Sequence, residues 1–247
     1  MDDPASGDLI AAAPTPRIPV RERTGKLLGT FPVRRIYCVG RNFADHAREM
    51  GATAPASKAE RGNPVFFMKP ADAVVIDGVV PYPPGTSDLH HEVELVVALG
   101  TDAPSGELAV DAAASLVFAY GVGLDLTRRD LQAAAKAKGL PWDTGKGFDH
   151  SAPVSALLPA AEAGDIESLT LSLDVDGERR QQSGLDQLIW DVPEILHELS
   201  KLYALRAGDL VFMGTPAGVA ALQPGDRFHA RLGDIAELQG RIVAATV

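Results

Sequence analysis

Residues 89–98, Leu-His-His-Glu-Val-Glu-Leu-Val-Val-Ala, place the tightest constraint on how this chain can fold. Val93 and Leu95 to Ala98 are apolar and strand-compatible, and the run stops at Gly100, so the pattern predicts a buried strand. Successive residues of a strand point to opposite faces, which puts Glu92 and Glu94 side by side at the entrance to an apolar segment. Two adjacent carboxylates repel and each loses hydration on burial. The arrangement is unfavourable unless one is protonated or a cation lies between them. With oxygen ligands and no cysteine nearby, Mg²⁺ or Mn²⁺ is favoured over Zn²⁺. Taken alone, Glu-x-Glu is met more often at a solvent-facing strand end, where paired acids do no harm.

The 247 residues suffice for one full core, with 23 basic against 33 acidic side chains and a net charge of -10. No block of Lys or Arg forms a stripe, so nucleic acid is not an expected partner. A single cysteine, Cys38, excludes an internal disulfide and a paired-cysteine zinc or redox motif. No apolar run approaches the roughly 20 residues that span a bilayer. The chain begins Met-Asp-Asp rather than with a basic, then apolar, leader, and a soluble cytoplasmic protein is expected. Residues 1–30, rich in Ala, Pro and Arg, read as a loosely held extension or arm, and 31–247 as the folded domain.

Along that domain, 34–40 reads as a strand. Asn42 followed by Asp45 resembles a helix start, with Gly51 as its stop. His46 and Glu49, three apart, share a helix face where a carboxylate can orient an imidazole; a surface ion pair is the commoner use of that spacing. Pro64 to Met68 reads as a buried strand and Ile76-Asp77-Gly78-Val79 as a hairpin turn. The run Leu116 to Leu124 carries Gly121 and Gly123 and ends at Asp125, a candidate third oxygen ligand because glycines in a strand let backbones approach closely. Thr127-x-x-Asp130 reads as the cap of a helix stopped by Gly139, with Arg128, Arg129 and Gln132 on its first turns; near a metal these could hold a carboxylate, while a solvated face is the commoner alternative. Lys146 lies between two glycines, a weak signal by itself. Leu169 to Val175 with Asp176-Gly177 predicts a hairpin, Asp191 with Pro193 a capped helix, and Gly214-Thr215-Pro216-Ala217-Gly218 a tight turn that can offer N–H groups and the Thr215 hydroxyl to an anion, or be a plain turn. Many short strands and few helices indicate a β-rich, mainly antiparallel fold.

In their order along the chain, five stretches resemble the fumarylacetoacetate hydrolase family. They are Tyr37 to His46, His90-His91-Glu92-Val93-Glu94, Gly123 to Gln132, Gly139-Leu140-Pro141-Trp142 through Lys146, and Gly214 to Gly218. The resemblance covers about 33 to 247, and Tyr82 to His91 with Trp142-Asp143-Thr144 is similar to the fumarylpyruvate hydrolase branch of that family. It implies an α+β, β-rich fold, a mixed β-sandwich or β-roll with a few short helices, and a homodimer. It implies Mg²⁺ or Mn²⁺ on Glu92, Glu94 and Asp125, a water-activating pair His46 and Glu49 on a lid, Lys146 as a further catalytic group, and substrate contacts from Arg129, Gln132 and Thr215. The implied reaction is hydrolysis of the C3–C4 bond of a small 2,4-dioxo acid, above all fumarylpyruvate to fumarate and pyruvate in gentisate-type aromatic degradation. Oxaloacetate decarboxylation, which also ends in a pyruvate enolate, stays open beside it, as does a dicarboxylate- and metal-binding protein without turnover.

Overall fold

The Val93–Leu99 strand is buried along its whole length, at the centre of a six-stranded sheet. The computed structural model describes residues 13–49, 55 and 58–245. Val117–Leu124 and Asp209–Phe212 flank the central strand antiparallel, Arg35–Gly40 lies parallel to Asp209–Phe212, and Val65–Lys69 and Leu158–Pro159 form the edges. A second sheet of five strands, ordered Glu178–Gly184, Thr170–Val175, Arg227–Leu232, Ala236–Val243 and Val79–Pro81, packs on it, and neither sheet closes on itself.

Strand parity sorts the central side chains. Leu95, Val97 and Leu99 enter the larger core, with Leu171, Leu173 and Phe228 of the second sheet, whereas Val96 and Ala98 enter a smaller core with Ile18, Val20 and Phe31. Glu94 shares the parity of Val96 and lies where that smaller core ends. Gly123 is opposite Glu94 in the ladder, and a Cβ there would meet Phe212 and Val96 at 2.8 and 2.9 Å. Only glycine lets these strands pack so closely.

Local chemistry explains other elements. Asp176 and Gly177, at φ 51° and 82°, make the two-residue turn joining Thr170–Val175 to Glu178–Gly184, a geometry that suits right-twisted strands. The helix Val192–Ser200 starts in a capping box, with Asp191 accepting from the Glu194 N–H and Glu194 from that of Asp191, and buries Ile195, Leu196 and Leu199.

Several expectations need correction. Residues 17–32 are not loosely held: Arg17–Arg21 and Leu27–Pro32 form a hairpin whose Ile18, Val20 and Phe31 build the smaller core. Ile76 to Val79 is a turn without a hairpin, because Val74–Val75 pairs in parallel with Ala152–Pro153 and Val79–Pro81 with Ala236–Val243. Val65–Lys69 is a half-exposed edge strand, with Met68 at the surface and Lys69 buried. The proposed stop of the first helix at Gly51 lies outside the described residues. Among the described residues, no helix is long and apolar enough to cross a membrane.

Candidate active site

The three acids meet because of register. Val93 pairs with Leu124, and the Asp125 N–H donates to the Glu92 carbonyl at 2.8 Å, so Asp125 leaves its strand beside the Glu92–Glu94 corner. Glu92, Glu94 and Asp125 are 5%, 1% and 0% exposed, and one carboxylate oxygen from each lies within 4.8 Å of the others.

Burial of three acids needs compensation. Lys146, from the short helix Asp143–Lys146, is itself buried and places Nζ 2.7 Å from Glu92 Oε2, 2.6 Å from Asp125 Oδ2 and 2.7 Å from Thr127 Oγ1. Lys69 Nζ lies 2.8 Å from Asp125 Oδ1 and donates to the carbonyls of Leu126 and Lys146. Arg129 donates to Glu92 and, at 2.6 Å, to Gln132 Oε1. Burial works against ionised Glu92, yet Lys146 and Arg129 beside it hold its carboxyl far below the usual range; burial likewise opposes the Lys146 charge, and Asp125 and Glu92 raise its pKa above the ordinary value.

Glu94 is treated differently. Its Oε2 accepts the Gly214 N–H at 2.7 Å, and no ion pair reaches it among the described residues. Burial, then Asp125 and Glu92, push its carboxyl well up. Asp125 Oδ1, despite its lysine neighbour, accepts no hydrogen bond. An under-partnered Glu94 carboxylate, with carboxylate oxygens of Glu92 and Asp125 within 4.8 Å and no sulfur donor in the cluster, suits a hard, oxygen-coordinated divalent cation.

On the pocket's other side, the helix Ala44–Glu49 carries His46, whose Nδ1 lies 3.2 Å from Glu49 Oε2. Glu49 also accepts the Gly218 N–H at 3.1 and 3.2 Å, tying helix to turn. The N–H groups of the 214–218 turn therefore meet anions that belong to the chain, Glu94 and Glu49. Of the nine site residues expected from sequence, His46, Glu92, Glu94, Arg129, Gln132, Lys146 and Thr215 line one cavity of about 30 Å³, while Glu49 stands behind His46 and Asp125 beneath.

Two expected helix caps serve the site instead. Thr127 donates to the Asp125 carbonyl and accepts from Lys146, so it does not cap the helix Arg129–Lys138, and Asp130 bonds Thr86 at 2.7 Å. Asn42 does not cap its helix either: its amide donates to the Trp190 and Met213 carbonyls and accepts the Trp190 N–H, pinning the end of Arg35–Gly40. Buried Gln181, from the second sheet, was not anticipated. Its Nε2 donates to Thr215 Oγ1 and the Pro216 carbonyl, both at 2.8 Å, and its Oε1 accepts from the Val93 N–H and from His91 Nδ1. Burial lowers the His91 pKa to about 4, which favours the neutral ring. Lys69, Arg41, Lys136 and Trp142 were also missed as site residues, and their only sequence signal is position within or just after a strand or helix that reaches the pocket.

Comparison with known proteins agrees with this geometry. The family model described as fumarylacetoacetate (FAA) hydrolase C-terminal matches residues 35–243. The solved structure of fumarylpyruvate hydrolase from Pseudomonas aeruginosa in complex with Mn²⁺ and pyruvate is similar over 96% of this chain and 100% of that one, with a TM-score of 0.88 and 44% identity. An oxaloacetate tautomerase of Escherichia coli (strain K12) is 41% identical over 79% of this chain and 87% of its own length. A mitochondrial oxaloacetate decarboxylase of Dictyostelium discoideum is 38% identical over 78% and 85%. With its sheet-rich fold and few short helices, this chain belongs to the fumarylacetoacetate hydrolase C-terminal family.

Proposed function

We propose that the protein is a metal-dependent C–C bond hydrolase that cleaves acylpyruvates between C3 and C4, with fumarylpyruvate, giving fumarate and pyruvate, as its substrate. The observation that carries this reading is the meeting, in one pocket, of a buried three-carboxylate cluster, an ammonium group and a carboxylate-oriented histidine. The Mn²⁺ and pyruvate held by the Pseudomonas relative support it. Glu92, Glu94 and Asp125 would hold Mg²⁺ or Mn²⁺, which supplies Lewis acidity and positive charge for the 2-oxo acid end of the substrate.

In this scheme Glu49 fixes the His46 ring through Nδ1, and Nε2, which has no hydrogen-bond partner among the described residues, takes a proton from water. The water oxygen bonds to C4. The C3–C4 bond breaks, its electron pair passes to the pyruvyl fragment as an enolate, and protonation at C3 gives pyruvate. General-base help of this kind is worth roughly 10²–10⁴ in rate. Lys146, whose three ammonium protons go to Glu92, Asp125 and Thr127, would turn one of them to the developing enolate charge once a metal ion takes up those carboxylates, an effect of about 3–4 kcal/mol for one well-placed donor. Arg129, Gln132 and Thr215 hold substrate oxygens; because Thr215 Oγ1 already accepts from Gln181, its own proton is available to donate. The family resemblance supports a homodimer working in the cytoplasm on products of aromatic-ring degradation.

A second reading has specific support, since relatives of comparable identity act, by their names, on oxaloacetate. Loss of the near-ultraviolet absorbance of fumarylpyruvate, with Mn²⁺ supplied and then chelated, tests the first. A kcat/KM for fumarylpyruvate above that for oxaloacetate decides for it, and the reverse order decides for the second. Absence of any metal-dependent turnover of either leaves a binding protein.

A further inference from the structure

The outer wall of the pocket carries positive charge that the scheme above does not use. Arg41 and Lys136 line it together with Trp142. Arg129 and Lys146 are matched by Glu92 and Asp125, whereas Arg41 and Lys136 form no ion pair among the described residues. Lys136 instead rests with Nζ 4.9 Å from the centre of the Trp142 ring, half-buried, and burial followed by the neighbouring Arg129 and Arg41 brings its pKa down to about 8. Arg41 is exposed and Lys136 partly buried, so two cations without an ion pair line one pocket, where an anion would gain attraction from both.

The helix Arg129–Lys138 fixes where that anion would lie. Arg129, Gln132 and Lys136 occupy positions i, i+3 and i+7, one face of a helix, and all three line the pocket. Arg129 touches Glu92, and Lys136 is two turns away, roughly 10 Å along the axis. Arg41 supplies an independent sign of function. It adopts a left-handed φ of 60°, uncommon for a residue with a Cβ, and adjacent Asn42 holds it there through bonds of 2.8 to 3.0 Å to Trp190 and Met213.

We propose that Arg41 and Lys136 bind the carboxylate at the far end of a dianionic acylpyruvate, with Trp142 against its carbon chain, so that the enzyme selects acyl groups ending in an anion. The subsite rests on the hydrolase reading and sharpens it to a substrate class. Fumarylpyruvate carries such a terminal carboxylate; crotonylpyruvate has the same chain with a methyl group in its place.

The test compares kcat/KM for these two substrates in wild type, Lys136→Gln, Arg41→Gln and Lys136→Arg. The fumaryl-to-crotonyl ratio should fall about 10- to 100-fold in each glutamine variant, as expected for loss of a charge-assisted contact, and return towards wild type in Lys136→Arg. An unchanged ratio, including an equal loss on both substrates, overturns the subsite. If wild type hydrolyses neither substrate, the hydrolase reading fails and calorimetry with fumarate in the presence of Mn²⁺ decides the subsite alone: a Kd at least about tenfold weaker in the glutamine variants supports it, and equal Kd values overturn it.

Discussion

The two ends of the pocket answer their charges in opposite ways. At the inner end two of the three buried acids, Glu92 and Asp125, are met by Lys146, Lys69 and Arg129, and Glu94 is left with a single peptide N–H. At the outer end Arg41 and Lys136 line the cavity and form no ion pair among the described residues. Each end has a group left for a ligand, and the two differ in sign: the Glu94 carboxylate inside, for a cation, and Arg41 with Lys136 outside, for an anion. A protein optimised only for stability would remove both imbalances, so their persistence points to binding rather than packing.

The contrast can be broken at its strongest point first. Glu92→Ala should abolish turnover and bound Mn²⁺ together, seen as activity and metal content of the same preparation, because it removes a ligand and strands Lys146 and Arg129. His46→Ala should keep Mn²⁺ while kcat falls roughly 10²–10⁴. A fully active His46→Ala would refute the histidine pair and leave the metal assignment standing. The outer end can be sharpened by pH. Lys136 loses its proton as pH rises through about 8, lowered there by burial, Arg129, Arg41 and Lys146 against the opposing pull of Glu92. The neutral amine no longer attracts a carboxylate, so the fumaryl-to-crotonyl ratio of kcat/KM should drop several-fold to tenfold between pH 7 and 9 by the ordinary titration of one group, and should not drop in Lys136→Arg. The smallest effect lies away from both ends: Asp191→Ala removes the cap of Val192–Ser200 and should cost about 1 kcal/mol in urea unfolding with kcat/KM unchanged.

What the sequence revealed follows from where the determining contacts lie. Val93–Leu99, the Asp176-Gly177 turn and the capped helix at Val192 are written in residues next to one another, as period, positive φ and cap chemistry. The hairpin at 17–32 was illegible because its alternation is short and interrupted by Pro19, and its order comes from packing Ile18 and Val20 under Val96 and Ala98, far away in the chain. Thr127 and Asn42 were misread for a related reason. Both have cap chemistry, but a buried lysine in one case and two buried peptide edges in the other compete for their polar atoms and win. Convergence of Glu94 with Asp125 was suggested by Gly121 and Gly123 in the strand that ends at Asp125, whereas Lys69 and Gln181 reach the site from strands whose sequence carries no mark of charge compensation.

Mn²⁺ binding by wild type and Glu94→Gln, followed by calorimetry or by the electron paramagnetic resonance of free Mn²⁺, tests the three-acid centre most directly. Glu94 has no cationic partner to strand, so this substitution removes a ligand charge without unpairing a buried lysine. One Mn²⁺ per chain in wild type, with affinity at least about 100-fold weaker in Glu94→Gln, is the expected result. Equal affinity in the two proteins, or no binding by wild type, would contradict it.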